Sequence, residues 1–232
     1  MLGVLVNTAT VILGSAVGLL LKKGIPDRVS NAVMTVIGLC TLYIGIDGAL
    51  EGSNAIILIV SMVFGTIIGT LLDIDGAINR LGMFIQKRFK RANGQTGIAE
   101  GFMTGSLLFC VGAMTIVGSV NAGLNGDNEL LLTKSVLDLV SSCMLASSLG
   151  LGVMFAAAFV LVFQGGLVLL AGLLQSVLTN AEIIAEMTCA GSVIIIGLGL
   201  NLLGITKIKV ADCLPAIVLV PLVYMLVELL PL

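Results

Sequence analysis

The amino-acid sequence predicts an all-α membrane protein, a polytopic bundle of seven or eight transmembrane helices. Hydrophobic residues make up 58% of the 232 residues and charged residues only 10%, which is more apolar surface than one water-soluble core can hide. The mean hydropathy is +1.20. Apolar runs of about 20 residues, long enough to cross a hydrocarbon layer about 30 Å thick, recur along the chain.

Eight apolar runs are predicted to be helices. In chain order they are Leu2–Leu21, Ser30–Leu50, Ala55–Leu72, Ile98–Ala122, Leu130–Leu149, Leu151–Leu174, Ile183–Leu203 and Ala211–Leu230. The fifth run carries Lys134 and Asp138, so it either crosses the membrane fully or re-enters from one side. The predicted number of spans is therefore seven or eight.

The basic residues orient the predicted helices. With eight spans, ten of the 11 basic residues fall on one side of the membrane: Lys22, Lys23, Arg28, Arg80, Lys87, Arg88, Lys90, Arg91, Lys207 and Lys209. Positively charged loops face the cytoplasm, so both termini are predicted outside. The opposite loops and their edges carry acidic residues without Lys or Arg: Asp47, Glu51, Asp127, Glu129, Glu182 and Glu186.

The predicted domain organisation is a single membrane domain over residues 1–232. It comprises a three-helix unit (1–72), an amphipathic cytoplasmic helix (77–91), a central hairpin (98–149) and a second three-helix unit (151–232). Residues 77–91 interleave apolar and basic side chains, as interfacial helices do. The alternative for this segment is a plain positively charged loop.

Short sequence matches indicate an inverted repeat of the two three-helix units. Leu2-Gly3-Val4 opens the first helix and Leu151-Gly152-Val153 opens the sixth, and Met34-Thr35 recurs as Met103-Thr104 and Met187-Thr188. With eight spans the first helix enters from outside and the sixth from the cytoplasm, so the units are inverted. The alternative is chance similarity between Gly-rich apolar helices.

Composition excludes several classes of function. The chain has no His and no Trp, and its net charge is -2, so it offers neither histidine-dependent catalysis nor a nucleic-acid surface. The five cysteines lie singly in apolar surroundings and are interpreted as packing residues. No phosphate-binding loop occurs. The sequence therefore predicts no enzyme, no metal, no cofactor and no nucleic-acid partner.

One pair of opposite charges falls within a predicted span. Lys134 and Asp138 are four residues apart, on the same helical face, where they can neutralise each other. The functional interpretation is a polar pathway in which Asp138 is a cation or proton site and Lys134 its counter-charge. The structural interpretation is an ion pair that locks two helices together.

A Gly- and Asn-rich stretch precedes the charged helix and is predicted to unwind. Residues 117–129 contain Gly118, Ser119 and Asn121, and such a composition is poor in helix interiors. The predicted solute or ion pathway joins this stretch to the charged helix and to two later amide side chains: Gly118, Ser119, Asn121, Thr133, Lys134, Asp138, Gln164 and Asn201. The alternatives are an external turn for residues 117–129, and hydrogen bonds between helices for the single polar residues.

Three Gly-x-x-x-Gly pairs predict close helix packing: Gly14 and Gly18, Gly65 and Gly69, and Gly101 and Gly105. Small residues at this spacing let two helix backbones approach each other. Such packing is compatible with a homo-oligomer, which is also predicted.

The sequence resembles the YqgA-type family of bacterial membrane proteins. The resemblance rests on residues 105–119, Leu132-Thr133-Lys134-Ser135-Val136-Leu137-Asp138, Gln164-Gly165, residues 197–204 and Leu214-Pro215-Ala216, and so covers nearly the whole chain. It implies a location in the bacterial cytoplasmic membrane. The family is catalogued as a domain of unknown function and described as a proposed transporter, so it implies no substrate and no site residues.

These observations predict a secondary transporter or channel for a small ion or polar metabolite. Its predicted partners are the lipid bilayer, that solute and a second copy of the chain. The alternative from another class is a non-transporting membrane scaffold or interaction protein, in which the charged pair is structural. A membrane enzyme is the third choice, because no nucleophile with a base is visible.

Overall fold

The computed structural model of the chain describes residues 1–22, 27–78, 80, 98–110, 113–178 and 180–229. Within these ranges the chain is helical and contains no β-strand. The helices are α1 (Leu2–Lys22), α2 (Asp27–Ala49), α3 (Ala55–Leu71), α4 (Ile98–Cys110), α5 (Ala113–Leu124), α6 (Glu129–Leu149), α7 (Leu151–Leu178), α8 (Ala181–Leu202) and α9 (Pro215–Leu229), with a 3-10 turn at Val210–Cys213. The predicted all-α class is confirmed.

Local sequence signals set several helix ends. Asn54 caps α3 by accepting a hydrogen bond from the Ile56 amide at 3.0 Å, and Asn180 caps α8 by accepting one from the Glu182 amide at 2.9 Å. Short polar side chains are favoured at such positions because they satisfy free amide groups. Gly150, with φ of 79°, separates α6 from α7, and its left-handed backbone suits glycine.

Five helices are long and apolar enough to cross a membrane: Leu2–Leu21, Glu129–Leu149, Leu151–Gly172, Ala181–Leu202 and Val210–Glu228. The bent pair formed by α4 and α5 makes a sixth candidate if it is one span. Thr35–Ala49 and Ala55–Leu71 are shorter apolar helices. Among the described residues, length and composition thus give five or six candidate spans, and the finer count of seven or eight stays a prediction.

The glycine pairs bring helices together within the chain. A Cβ atom on Gly14 would clash with the Leu139 carbonyl, and one on Gly18 with the Cys143 carbonyl. Gly65 and Gly69 approach the start of α9 and the preceding 3-10 turn in the same way, and Gly101 and Gly105 lie against α7. The predicted close packing is confirmed. Because these contacts are intramolecular, they lend no support to a homo-oligomer.

The same contacts fix the relative direction of neighbouring helices. Gly3, Gly14 and Gly18 of α1 meet Leu131, Ser142 and Cys143 of α6 in ascending order, so α1 and α6 run parallel. Gly38, Gly45 and Gly52 meet Leu203, Ile196 and Cys189 in descending order, so α2 and α8 run antiparallel. Gly65 meets Ala216 and Gly69 meets Asp212, so α3 and α9 also run antiparallel.

The largest apolar core joins six helices. Its buried side chains come from α1, α2, α4, α6, α7 and α8, and include Val11, Phe109, Leu145, Val160 and Ile194. Large apolar side chains also cover the outside of the bundle, such as Leu20, Tyr43, Leu71, Val162 and Leu169, each at least 70% exposed. An apolar exterior of this kind is expected where the solvent is lipid.

The fourth predicted helix is divided, and the division is not where the sequence placed it. The axes of the segments before and after residues 111–112 differ by 61°, and α5 then continues as a helix to Leu124. The expected unwinding from residue 117 is therefore wrong up to Leu124. Ile116 and Val120 are buried in an apolar cluster with α8, and such packing overrides the weak helix propensity of Gly and Asn.

Two of the basic residues, Arg80 and Lys209, lie at the same end of the helix bundle. The Asp75 amide donates to Asp212 Oδ1 at 2.9 Å. Arg80 Nη1 lies 2.7 Å from Asp73 Oδ2, and this hydrogen bond, with the nearby charge of Lys209, lowers the pKa of Asp73. The chain around residues 73–80 is thus at the same end as residues 209–212. Most of the predicted amphipathic helix 77–91 lies outside the described residues; of it, residues 77, 78 and 80 are helical.

Candidate functional site

The predicted charge pair forms inside the bundle. Lys134 Nζ lies 2.8 Å from Asp138 Oδ1 and 2.9 Å from Asp138 Oδ2. The two residues are only 7% and 4% exposed. They share one face of α6 because four residues advance the helix by slightly more than one turn. Each charge therefore has a direct counter-charge in a poorly solvated place.

Two amide side chains from other helices complete a cluster around Asp138. Asn7 of α1 donates through Nδ2 to Asp138 Oδ2 at 3.0 Å and to Gln164 Oε1 of α7 at 3.2 Å. Both amides are fully buried. We call Asn7, Lys134, Asp138 and Gln164 the Asp138 cluster. It joins α1, α6 and α7 through polar contacts at the edge of the apolar core.

The Asp138 cluster retains hydrogen-bonding capacity. Asn7 Oδ1, an acceptor, and Gln164 Nε2, a donor, have no partner among the described protein groups. A buried polar atom left without a partner costs about 1–3 kcal/mol. The arrangement therefore offers one acceptor and one donor, beside a neutral ion pair, to a small polar group.

The other predicted pathway residues divide into two groups. Gly118 and Ser119 are buried on α5, where Gly118 packs against Leu130 and Leu131 and the Ser119 hydroxyl has no partner. Asn121 is half-buried, and Thr133 is exposed on the outward face of α6. These positions are helical, so they present side chains rather than free backbone.

Asn201 makes its hydrogen bonds away from the Asp138 cluster. Its side chain donates to the Ile208 carbonyl at 2.7 Å and accepts from the Ile208 amide and the Thr206 hydroxyl, both at 2.8 Å. These bonds hold the turn that follows α8. Of the two predicted amide side chains, Gln164 therefore belongs to the Asp138 cluster, whereas Asn201 caps the turn after α8.

The break between α4 and α5 lies close to the charge pair. Cys110, the last residue of α4, is within electrostatic range of both Lys134 and Asp138. The Thr115 hydroxyl donates to the Phe109 carbonyl at 3.1 Å, which satisfies a backbone acceptor that the break leaves free. The two helices of the bent pair therefore meet beside the charges, whereas the stretch predicted to unwind is helical up to Leu124.

A second buried carboxylate was not recognised as a site residue from the sequence. Glu186 of α8 is 2% exposed, and its Oε1 accepts hydrogen bonds from the Ser53 amide at 2.7 Å, the Ser53 hydroxyl at 3.1 Å and the Asn54 amide at 2.8 Å. Its Oε2 has no partner. The predicted helix began at Ile183, which put Glu186 at a loop edge; α8 begins at Ala181 and carries it inward.

An apolar cavity of about 520 Å³ lies between α3, α4, α7 and α9. Its lining residues are Ile68, Leu72, Ile74, Ile78, Phe102, Met103, Ser106, Leu107, Cys110, Ile116, Phe159, Phe163, Met187, Ala211, Leu214, Pro215, Ile217, Val218 and Leu219. They include neither Lys134 nor Asp138. Cys110 lines the cavity and is also near the charge pair.

In the described part of the chain, no three His, Cys, Asp or Glu side chains are grouped closely enough to hold a metal ion. The absence of a cofactor remains a prediction from the sequence.

The apolar helices and the buried charge pair define an α-helical membrane protein with several spans. The chain belongs to the family described as "Protein of unknown function (DUF554)", whose model matches residues 2–225. This confirms the resemblance inferred from the sequence.

Two relatives match nearly the whole chain. The "Uncharacterized membrane protein YdfK" of Bacillus subtilis (strain 168) is 34% identical over 232 residues, which cover 98% of this chain and 97% of that protein. The "Uncharacterized protein YqgA" of Escherichia coli (strain K12) is 27% identical over 221 residues, 94% of each chain. No solved structure matches the chain.

Proposed function

We propose that the protein is a secondary transporter or channel that moves a small ion or polar metabolite across the bacterial cytoplasmic membrane. The observation that carries the proposal is the Asp138 cluster. A buried ion pair is joined by two amides from separate helices, and one acceptor and one donor are left free. Ionisable residues within membrane spans mark ion and solute pathways more often than they serve packing alone.

An eight-span topology with both termini outside belongs to this proposal. Since α1 and α6 run parallel, the chain crosses an even number of times between the start of α1 and the start of α6. Counting α1, α2, α3 and the bent α4–α5 pair gives four crossings. A re-entrant α4–α5 pair would give three and an antiparallel α6. This parity supports one continuous, bent span.

The proposed inverted repeat is supported by helix pairing. The equivalent helices of the two units are α1 and α7, α2 and α8, and α3 and α9, and each pair is in contact. Both α2 with α8 and α3 with α9 run antiparallel, as inverted units require. Asn7 and Gln164, which hydrogen-bond to each other, lie on the first equivalent pair.

Flux measurements test the transport proposal. The purified chain is reconstituted into liposomes and assayed with a panel of cations and small acids. Asp138→Asn combined with Lys134→Met keeps the cluster uncharged, and we expect it to abolish flux while the protein remains folded. Val136→Ala, on the exposed face of α6, is the matched control and should retain flux. Unimpaired flux in the double variant would remove Asp138 from the mechanism.

Cysteine labelling tests the topology separately. After the native cysteines are replaced, single cysteines at positions 54, 87 and 207 are labelled from each face. Position 54 should react from outside, and positions 87 and 207 from inside. Labelling of positions 87 and 207 from opposite sides would refute the eight-span topology.

A membrane scaffold is the second candidate, and one observation favours it. The described apolar cavity does not reach Lys134 or Asp138, and their mutual contact already neutralises both charges. In this proposal the pair holds α6 in register with α1 and α7. A non-transporting scaffold would carry no flux of any solute even as the wild-type protein, so the double variant would leave the flux assay unchanged.

A further inference from the structure

Glu186 uses only one of its two carboxyl oxygens. Oε1 accepts three hydrogen bonds, from the Ser53 amide, the Ser53 hydroxyl and the Asn54 amide. Oε2 is buried and has no hydrogen-bond partner among the described protein groups. An ionised carboxylate has two equivalent acceptor oxygens, whereas a neutral carboxyl group has one acceptor oxygen and one O–H group. The uneven pattern is the one expected of a neutral carboxyl group with its proton on Oε2.

Basic residues are missing from the segments that surround Glu186. No Lys or Arg occurs in residues 29–79, 135–206 or 210–232, which contain α3, α8, α9 and nearly all of α2. Glu186 itself is only 2% exposed, so water screens little of its charge. An unpaired charge in buried surroundings costs several kcal/mol, and such a group is usually neutralised instead.

Acidic side chains lie near Glu186 instead. Glu182 is one turn earlier on α8 and accepts a hydrogen bond from the Tyr224 hydroxyl, and both Glu51 and Glu186 are within electrostatic range of Cys189. The contact of α5 with α8 is apolar. Negative charges nearby add to the cost of ionising Glu186. The titratable groups on the segments packed against this part of α8 are acids, a thiol and a phenol: Asp47, Glu51, Glu182, Cys189, Tyr224 and Glu228.

A proton fits this site because it needs no cavity beside Oε2. A metal ion needs several ligand atoms, and the described residues contain no group of three His, Cys, Asp or Glu side chains that could hold one. We propose that Glu186 binds a proton on Oε2 and that this proton is the coupling ion of the proposed transporter. Binding joins the carboxylate and one proton from water into a carboxyl group, so one O–H bond forms and one negative charge disappears.

The position of Glu186 between the two proposed repeat units suits a coupling role. Glu186 belongs to the unit 151–232, and its hydrogen-bond partners Ser53 and Asn54 belong to the unit 1–72. Coupling-ion sites of secondary transporters lie at the interface between repeats. Loss of the proton leaves a buried charge, so it favours an arrangement in which water reaches Oε2. The coupling role rests on the proposed function, whereas proton binding is measurable without transport.

Infrared spectroscopy tests proton binding directly. The protein is measured in a detergent without carbonyl groups, so that the C=O band of a neutral carboxyl group is visible. We expect the wild type to show a component at near-neutral pH that is lost at alkaline pH. Glu186→Gln, whose amide oxygen can replace Oε1 as the acceptor, should lack this component. Glu51→Gln changes an exposed acidic neighbour and is the matched control, which should keep it.

Two infrared results would overturn proton binding by Glu186. One is a wild-type spectrum without the component, or with a component that persists at alkaline pH. The other is a component that remains in Glu186→Gln, because a different carboxyl group would then carry the proton.

Solute accumulation tests the coupling role. Liposomes that contain the protein are given an acidic exterior and, in turn, each cation and small acid of the flux panel, and uptake by protein-free liposomes is subtracted. The wild type should accumulate its solute several-fold only when the proton gradient is present. Glu186→Gln should lose this accumulation but still exchange the solute when its concentration is equal on both sides. Glu51→Gln should accumulate the solute as the wild type does.

The failure of coupling and the failure of transport give different results. Equal gradient-driven accumulation by the wild type and Glu186→Gln would overturn the coupling role and leave the transport proposal standing. A wild type that moves no solute of the panel would overturn both, whereas the infrared spectra would still decide whether Glu186 binds a proton.

Discussion

Breaking the buried ion pair from one side should destabilise the protein more than removing both charges. In Asp138→Asn the Lys134 ammonium keeps its buried place but loses the carboxylate that contacts it at 2.8 and 2.9 Å. Lys134 is 7% exposed and Asp138 4%, so water screens little of the loss. Removal of one partner of a buried pair costs about 3–5 kcal/mol.

The double variant Lys134→Met, Asp138→Asn should be milder. Met fills most of the space of the lysine stem, and the new amide can still accept a hydrogen bond from Asn7. Replacing a buried ion pair by residues of similar volume is often neutral or stabilising. The coupling free energy between the two substitutions should therefore be a large part of the cost of the single change.

Thermal unfolding in detergent or nanodiscs measures these effects. For a chain of this size about 1 kcal/mol changes the midpoint by roughly 2–4 °C, so Asp138→Asn should lower it by roughly 6–20 °C. Asp73→Asn breaks the Arg80–Asp73 pair, whose side chains are 63% and 50% exposed. It is the matched surface control and should leave the midpoint unchanged.

One result would refute this reasoning. Equal midpoints for the wild type, both single variants and the double variant would mean that both charges are solvated and are not partners. A double variant as unstable as Asp138→Asn would show that the carboxylate, rather than the isolated ammonium, matters.

Further predictions concern packing and the second carboxylate. Gly18→Ala should lower the unfolding midpoint, because the added Cβ atom would meet the Cys143 carbonyl. Gly172 has nothing within 4 Å of such a Cβ atom, so Gly172→Ala should keep or raise the midpoint through better helix propensity. A lower midpoint for Gly172→Ala than for Gly18→Ala would contradict the α1–α6 contact. Glu186→Ala leaves the amides of Ser53 and Asn54 without an acceptor and should destabilise the protein by about 2–5 kcal/mol. Glu186→Gln keeps one acceptor oxygen and should destabilise the protein less. Equal unfolding midpoints for the two variants would rule out these hydrogen bonds as the cause.

Much of the helical architecture was predictable from the sequence, because a bilayer imposes helix length and internal hydrogen bonding. The starts of α3 and α7 agree with the predicted starts at Ala55 and Leu151. The Gly-x-x-x-Gly pairs correctly indicated tight contacts. The sequence did not reveal which helices those glycines face, since a spacing of four residues carries no information about the partner.

The break in the fourth helix shows why local composition misplaced one feature. Gly and Asn are weak helix formers, so residues 117–124 were expected to unwind. They stay helical because Ile116 and Val120 are buried against α8 and Gly118 is needed for close packing against Leu131. The change in helix direction comes instead between the segments Ile98–Cys110 and Met114–Leu124.

The composition of the candidate site was only half predictable. Lys134 and Asp138 were identified as partners because a four-residue spacing brings side chains together on a helix. Asn7 was not among the predicted site residues, since no spacing along the chain relates α1 to α6 or α7. Glu186 was placed at a loop edge because its helix was predicted to begin two residues too late.

The Asp138 cluster contains more polar groups than a structural ion pair requires. Lys134 already neutralises Asp138 through two contacts, and apolar side chains in place of Asn7 and Gln164 would pack without any unmade hydrogen bond. Instead, the two amides leave one acceptor and one donor unpaired, at a cost of about 1–3 kcal/mol each. A membrane scaffold gains nothing from that cost, whereas a site that must bind and release a polar solute recovers it on binding. This difference is why transport stands ahead of the scaffold.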